Sequence, residues 1–254
     1  LEKLPFDSLH RLRRLGGLDG HPDVKTPFMI ANTGPLGMGI SKARGIGYAR
    51  RLNGSSGKIY VLTGDGELQE GQIWESLQPT ANHTFAEIMV IVDRNKLQSD
   101  SLVENVSDLG DLAAKFKAFG WEVRLCDGHN VQVLDRALAE LNAVMDRPQV
   151  LIAETIKGKG VSFMEKLGPD GFYKYHAGAL STDEYLRAVA ELVERLQGKL
   201  SDLKLAPLRL ESVPAESKIP SDHQQALVKA YGEELVALGH EVQEFVVLDG
   251  DLVK

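Results

Sequence analysis

Only one of the 254 residues is a cysteine, Cys126, so no internal disulfide can form and a reducing, cytoplasmic setting is expected. Its place in the strand-like run Glu122-Val123-Arg124-Leu125-Cys126 favours a small, inert core side chain over a reactive thiol. No apolar run approaches the ~20 residues needed to cross a bilayer, so no membrane span is expected. An excess of positive charge is also missing. Lys and Arg number 29 against 36 Asp and Glu, and the net charge of −7 leaves no electrostatic footprint for nucleic acid. No Gly-rich loop ends in Gly-Lys-Ser/Thr, which excludes a P-loop nucleotide site. No secretory leader is visible, although the sequence begins at Leu1 rather than Met.

The remaining composition, 43% apolar and 26% charged, is that of a globular enzyme. Leu9, Leu12 and Leu15 fall at helical spacing before Gly16-Gly17. A helix over 39–52 is rich in small residues (Gly39, Ala43, Gly45, Gly47, Ala49). Each helical Gly costs about 1 kcal/mol relative to Ala, so a close neighbour, either another helix or a cofactor, is expected there. Further on, strands at 58–62, 87–92, 121–125 and 149–154 alternate with helices at 70–81, 109–119 and 131–145. Pro79 should interrupt a hydrogen bond of the 70–81 helix. The pattern predicts an α/β fold, a mostly parallel sheet with helices on both faces.

Past Lys157-Gly158-Lys159-Gly160 the chain turns irregular, and a helix from Thr182 to about Leu200 closes the domain. Prolines at 207, 214 and 220 mark a linker. A further helix (224–238) and strand (245–249) begin a unit too short to bury its own core. The expected organisation is a first domain over 1–200, a linker over 201–220 and a truncated second domain over 221–254.

The chemistry concentrates at two strand ends. Gly64-Asp65-Gly66 closes the 58–62 strand, and Asp93-Arg94-Asn95 closes the next. Open α/β sheets bind ligands at such carboxyl ends. A carboxylate, an amide oxygen and a peptide carbonyl suit Mg²⁺, which completes its octahedron with phosphates and water. The glycines around Asp65 let backbone amides approach a phosphate, so a metal-bridged diphosphate is expected.

Gly64-Asp65-Gly66 followed by Asn95, thirty positions after Asp65, resembles the signature of thiamine-diphosphate enzymes. Thr33-Gly34-Pro35-Leu36-Gly37-Met38-Gly39, Glu70-Gly71-Gln72-Ile73-Trp74-Glu75 and Gly20-His21-Pro22 resemble the transketolase branch. The resemblance runs from about Leu15 to the last residues.

It implies the thiamine-diphosphate-binding fold, with the first domain on the cofactor's diphosphate and a second, beyond Lys254, on its aminopyrimidine. The implied reaction moves a two-carbon glycolaldehyde unit between ketose and aldose phosphates, as in the pentose phosphate pathway. Mg²⁺, or another divalent cation such as Ca²⁺ or Mn²⁺, would be held by Asp65, the Asn95 side chain and the Leu97 carbonyl. The implied cofactor-binding residues are Gly34, Pro35, Leu36, Gly64, Gly66, Glu67, Asn95 and His176. Among them, the Gly66 amide meets the diphosphate, and Gly34, Pro35 and Leu36 line the thiazolium. His21 would contact the donor sugar, and His176 would stand between diphosphate and substrate.

The sequence departs from the family in two places. The gap from Gly160 to His176 is longer, and Lys96 stands where a small residue, typically Gly, is expected.

The resemblance also implies a homodimer with shared sites. Glu70 would be either an interfacial glutamate or an acid favoured by the helix dipole. Ile73, Trp74 and Leu77 would be interface anchors or ordinary core residues. His83 and His129 read as solvated surface. The activating glutamate and an upstream Ser-Lys-Gly-His segment lie outside the given sequence, so this stretch alone is not expected to turn over. Competing readings are 1-deoxyxylulose-phosphate synthase, a dehydrogenase E1 component, or a catalytically silent subunit of the same fold.

Overall fold

A computed structural model describes residues 4, 6–9, 11–13, 17–209 and 227–241. The chain divides into two compact units, Leu1–Pro207 and Leu208–Lys254. In the second, the described part is one helix, Leu227–Glu241 (α8 in chain order). The expected 245–249 strand and most of the linker lie outside the described residues.

The first unit is built on four parallel strands: Ile59–Gly64 (β1), Ile88–Arg94 (β2), Gln149–Glu154 (β6) and Glu122–Asp127 (β5), in the order β1-β2-β6-β5. The central strands β2 and β6 are nearly continuous apolar runs, as strands covered on both faces must be. One face packs against Gly39–Leu52 (α2), Gly71–Asn82 (α3) and Leu112–Ala118 (α5), around Phe85, Phe116, Ile73, Leu77, Val90 and Val150. On the other, Val131–Asn142 (α6) sets Ala137 and Leu141 against Met89 and Leu151. Helices on both faces of a parallel sheet agree with the expected fold class.

Local chemistry sets the helix boundaries. Asp111 Oδ1 accepts from the Ala114 amide at 2.9 Å and starts α5. That is three residues later than the periodicity predicts, because Gly110 is left-handed (φ 58°). Asn130 Oδ1 caps α6 by accepting from the Val133 amide. Ser181 and Glu184 form a reciprocal capping box at the start of Thr182–Asp202 (α7). Pro79 leaves the Glu75 carbonyl without its helical donor, yet α3 continues to Asn82. Among the described residues, no helix is long and apolar enough to cross a membrane.

Three expectations need correction. The N-terminal helix is a single turn, Phe6–Leu9 (α1), and Leu12 lies in a turn beside left-handed Arg13. The close neighbour of the small-residue helix is the sheet, not a helix or a cofactor. A Cβ on Gly39 would stand 2.8 Å from Val61, and one on Gly47 2.9 Å from the Phe85 ring. Finally, Ile73 and Leu77 are fully buried in this chain's own core, and Trp74 donates to the Leu68 carbonyl while packing on Phe116. The apolar stripe of α3 serves the sheet, so these residues are not free to anchor a dimer.

No periodicity marks the segment after β2. There a two-residue hairpin, Leu97–Gln98 (β3) with Ser101–Leu102 (β4), runs into a short helix, Val103–Ser107 (α4).

Candidate functional site

β1 and β2 run in register to Gly64 opposite Asp93, and the Asp65 amide continues the ladder to the Asp93 carbonyl at 3.2 Å. Asp65 is therefore delivered to the carboxyl edge of the sheet, where it is only 3% exposed. Its Oδ1 accepts from the Gly66 amide at 3.0 Å and its Oδ2 from the Lys96 amide at 2.7 Å. Burial pushes its carboxyl above the ordinary range; the two amides oppose this, and the Asp93 carboxylate adds to it. Each oxygen accepts one amide, so each keeps a lone pair for a cation.

The Lys96 amide bond sets the Asp65 carboxylate one residue past Asn95. Asn95 Oδ1 accepts from the Leu97 amide at 3.0 Å, and Leu97 opens the β3–β4 hairpin that fixes its peptide. Lys96 is left-handed (φ 67°), the conformation a glycine would take, and its ammonium lies 3.5 Å from Glu154. The departure from Gly thus keeps the turn and adds an ion pair. Arg94 pairs with the same Glu154 at 2.6 Å. A cavity of about 270 Å³ opens beside Asp65, lined by Arg94, Lys96, Val103, Glu104 and Asp108 among others.

Two glycine loops close on this edge. Gly34 has φ 117°, and a Cβ there would stand 3.4 Å from the His21 ring, so the imidazole lies on the bare backbone. The Thr33 amide and hydroxyl both donate to the Pro22 carbonyl at 3.0 Å and tie the two loops together. The Gly37 amide donates to Glu67 Oε1 at 2.8 Å, while Glu67 Oε2 accepts from the Thr63 hydroxyl at 2.7 Å and the Gly64 amide at 3.4 Å. Both Glu67 oxygens thus brace the Gly34–Gly37 loop against the Asp65 turn. Pro35 and Leu36 face outward, Leu36 with 55% of its surface open. Glu70 stands at the N-cap position of α3 without a capping bond and against Gly37.

The third approach comes from the end of β6. The Thr155 amide extends the ladder to the Arg94 carbonyl at 3.1 Å, and its hydroxyl donates to Asp93. Two residues on, Lys157 Nζ lies 3.0 Å from His176 Nδ1 and 5.5 Å from the Tyr173 ring centre. Burial lowers the Lys157 ammonium, against the attraction of Asp93 and Asp65. Burial also lowers His176, with the Lys157 charge adding to that and Asp100 opposing it. The long segment before His176 folds back onto the hairpin through the Tyr173 amide, which donates to the Asp100 carbonyl at 2.6 Å. Its extra length is taken up in that return.

Lys157 is not recognisable from sequence, because a lysine in a Gly-rich run carries no spacing signal; its one clue is its place just after a strand end. His129, expected as solvated surface, instead accepts from the Ile156 amide through Nε2 at 2.8 Å. His83 is exposed and makes an edge contact with Tyr48.

Among the described residues, no three His, Cys, Asp or Glu side chains gather as a metal cluster. The donors at hand are a carboxylate, an amide and peptide oxygens, the set expected for a hard cation shared with a phosphate. Such an edge belongs to α/β domains that hold an anionic cofactor across strand ends. Residues 2–192 match the family model "Transketolase, thiamine diphosphate binding domain", and the chain belongs to that family.

One of its relatives, the first of two chains forming the apulose-4-phosphate transketolase of Phocaeicola vulgatus, is 36% identical over 180 residues, which are 71% of this chain and 62% of that protein. Transketolase from Pongo abelii is 30% identical over 261 residues, covering 98% of this chain and 40% of that protein. The crystal structure of transketolase from Campylobacter jejuni superposes with a TM-score of 0.57 at 24% identity, over 78% of this chain and 34% of that one. The chain therefore spans from about two fifths to three fifths of the length of the first two relatives.

Proposed function

We propose that this domain binds thiamine diphosphate through a divalent cation, Mg²⁺ foremost, held by Asp65, Asn95 and the Leu97 carbonyl. The whole protein would then transfer a two-carbon unit between ketose and aldose phosphates. The observation that carries this reading is the buried Asp65 carboxylate facing Asp93. Its charge is destabilised by burial, its spare lone pairs lie at a sheet edge, and a cation would relieve it. The glycine at 66 fits as well, because its amide stands where only a bare backbone leaves room beside Gln98.

When bound, the cofactor supplies the carbon nucleophile and electron sink that cleavage beside a carbonyl requires. This chain's residues would bind and orient. The Gly66 amide and the Lys157 ammonium would meet diphosphate oxygens. Lys157 donates to Nδ1 of His176, so the His176 proton sits on Nε2, the nitrogen left for a phosphate or substrate oxygen. His21, laid on Gly34, would hydrogen-bond the donor sugar's carbonyl and hydroxyl. Gly34, Pro35 and Leu36 would flank the thiazolium, and Glu67 would fix their loop from behind.

Relatives made as one long chain and relatives split over two chains both occur among the matches. The alignment with the Pongo abelii enzyme extends over nearly the whole of this chain, beyond the first compact unit, and this favours a second domain on the same polypeptide. A homodimer, a cytoplasmic setting and a place in pentose phosphate metabolism belong to the same reading. The alternative of a catalytically silent copy loses ground because Asp65, Asn95, His21 and His176 are all kept.

Calorimetric titration of full-length protein with thiamine diphosphate tests the reading. Binding should require Mg²⁺ and vanish in Asp65→Asn. Binding of equal strength in EDTA would refute it.

A further inference from the structure

We infer that His129 is a positioning residue: it sets Lys157 at the strand-end site by holding the Ile156 amide. The inference rests on the reading that Lys157 meets the cofactor diphosphate.

The β6 ladder ends at the Thr155 amide, which donates to the Arg94 carbonyl. Ile156 is the first residue beyond it, and no strand offers its amide an acceptor. The acceptor is the His129 imidazole, 2.8 Å away through Nε2. Only a neutral imidazole protonated at Nδ1 can serve, since both nitrogens of the charged ring are donors.

The turn that carries His129 is rigid. The Gly128 amide donates to the Glu154 carbonyl at 2.8 Å, and a Cβ at Gly128 would stand 2.5 Å from Thr155 Cγ2, so the turn sits directly on the end of β6. The His129 amide donates to Asp127 Oδ1 at 2.9 Å, and Asn130 caps α6. The imidazole is thus mounted on β5 and α6, two elements that do not themselves reach the site.

By fixing the Ile156 peptide, His129 sets the direction in which the chain leaves the sheet. Lys157 follows, with its ammonium on His176 and within electrostatic reach of Asp93 and Asp65. Without that acceptor the Ile156 amide turns to water, and the Lys157 stem loses one of its two anchors; the other is Thr155 on Asp93.

The test is a cofactor titration by calorimetry on full-length protein with Mg²⁺, comparing His129→Ala, His129→Gln, Lys157→Ala and the His129→Ala/Lys157→Ala double variant. Glutamine can place its carbonyl oxygen near the position of Nε2. Loss of one hydrogen bond predicts a roughly 3- to 10-fold rise in Kd for His129→Ala. His129→Gln should stay within about 2-fold of the unaltered protein, since it keeps an acceptor for the Ile156 amide. The double variant should bind no worse than Lys157→Ala. Three results would overturn the inference: His129→Ala binding like the unaltered protein, His129→Gln binding as poorly as His129→Ala, or effects that add fully in the double variant. Failure of the unaltered protein to bind is a separate result, and it would remove the cofactor reading itself. If His129→Ala does not fold, a His129→Gln variant with weakened binding and an unchanged melting temperature still counts against the inference.

Discussion

Replacing Asp65 by Asn separates what the carboxylate does for the fold from what it does for a ligand. In the folded chain its two oxygens accept from the Gly66 and Lys96 amides, and asparagine can satisfy only one of them. A buried amide left without an acceptor costs about 1–3 kcal/mol. Against this, the substitution removes a charge that burial and Asp93 both disfavour. The two effects oppose each other, so the ligand-free variant should melt within about 5 °C of the parent.

The ligand-bound protein should behave differently. A ligand at 100 times its Kd stabilises the state it binds by about 2.7 kcal/mol. For a unit of this size each kcal/mol is about 2–4 °C, so the parent should gain roughly 5–11 °C with thiamine diphosphate and Mg²⁺. Asp65→Asn should gain none. Differential scanning fluorimetry with and without the pair measures both quantities. If the variant shows the parent's full ligand-induced shift, Asp65 does not hold the cation. If it unfolds at room temperature without ligand, the lost acceptor outweighs the relieved charge and the two effects do not balance.

Other outcomes can be checked alongside. Lys157→Met should raise the His176 pKa, read from its imidazole NMR shifts, because the ammonium is one of the two effects that lower it. The sign for stability follows. A histidine lowered by folding binds protons more weakly than in the unfolded chain, so stability is lost as pH falls below about 6.5, and Lys157→Met should soften that loss. Glu184, held at about 2 by Lys174 and Ser181, contributes stability present above its ordinary value of 4.5 and lost as pH falls toward 2. Hydrogen exchange at the start of α7 should accelerate over that acid range, and Glu184→Gln should remove the pH dependence. Phe116→Ala, which empties a fully buried site against Trp74 and Trp121, should cost about 3–5 kcal/mol in urea denaturation.

Much of the fold can be read from the chain because its strands are strongly patterned. The 149–154 strand is legible to the residue, since its apolar run is bounded by Pro148 and by the turn after Glu154. The β3–β4 hairpin is not, because two-residue strands have no periodicity. Ile73 and Leu77 show a different limit. An apolar stripe on a helix says that the face is covered, not by what. The site divides in the same way. Asp65 and Asn95 carry a spacing that the alternation of strand and helix fixes in advance. Lys157 and His129 owe their positions to how β5 and β6 end in space, and these ends lie 27 residues apart in sequence between His129 and Ile156. Glu67 reads as a cofactor neighbour because it follows Gly66, but its side chain turns back to the Gly37 amide.

The strand order has a kinetic consequence. β6 is the last of the four parallel strands to be made, yet it lies between β2 and β5, which are otherwise unpaired with each other. As the polypeptide leaves the ribosome, β1 and β2 can pair with the crossover α3 between them, while β5 and α6 must wait. Only after Glu154 has emerged can the sheet close, and only then do Thr155 and Lys157 arrive beside Asp93. Such late, non-local pairing slows folding. It also makes the strand-end pocket a feature of the finished domain: a nascent chain stalled before residue 157 would display the Asp65 turn without the lysine that faces it.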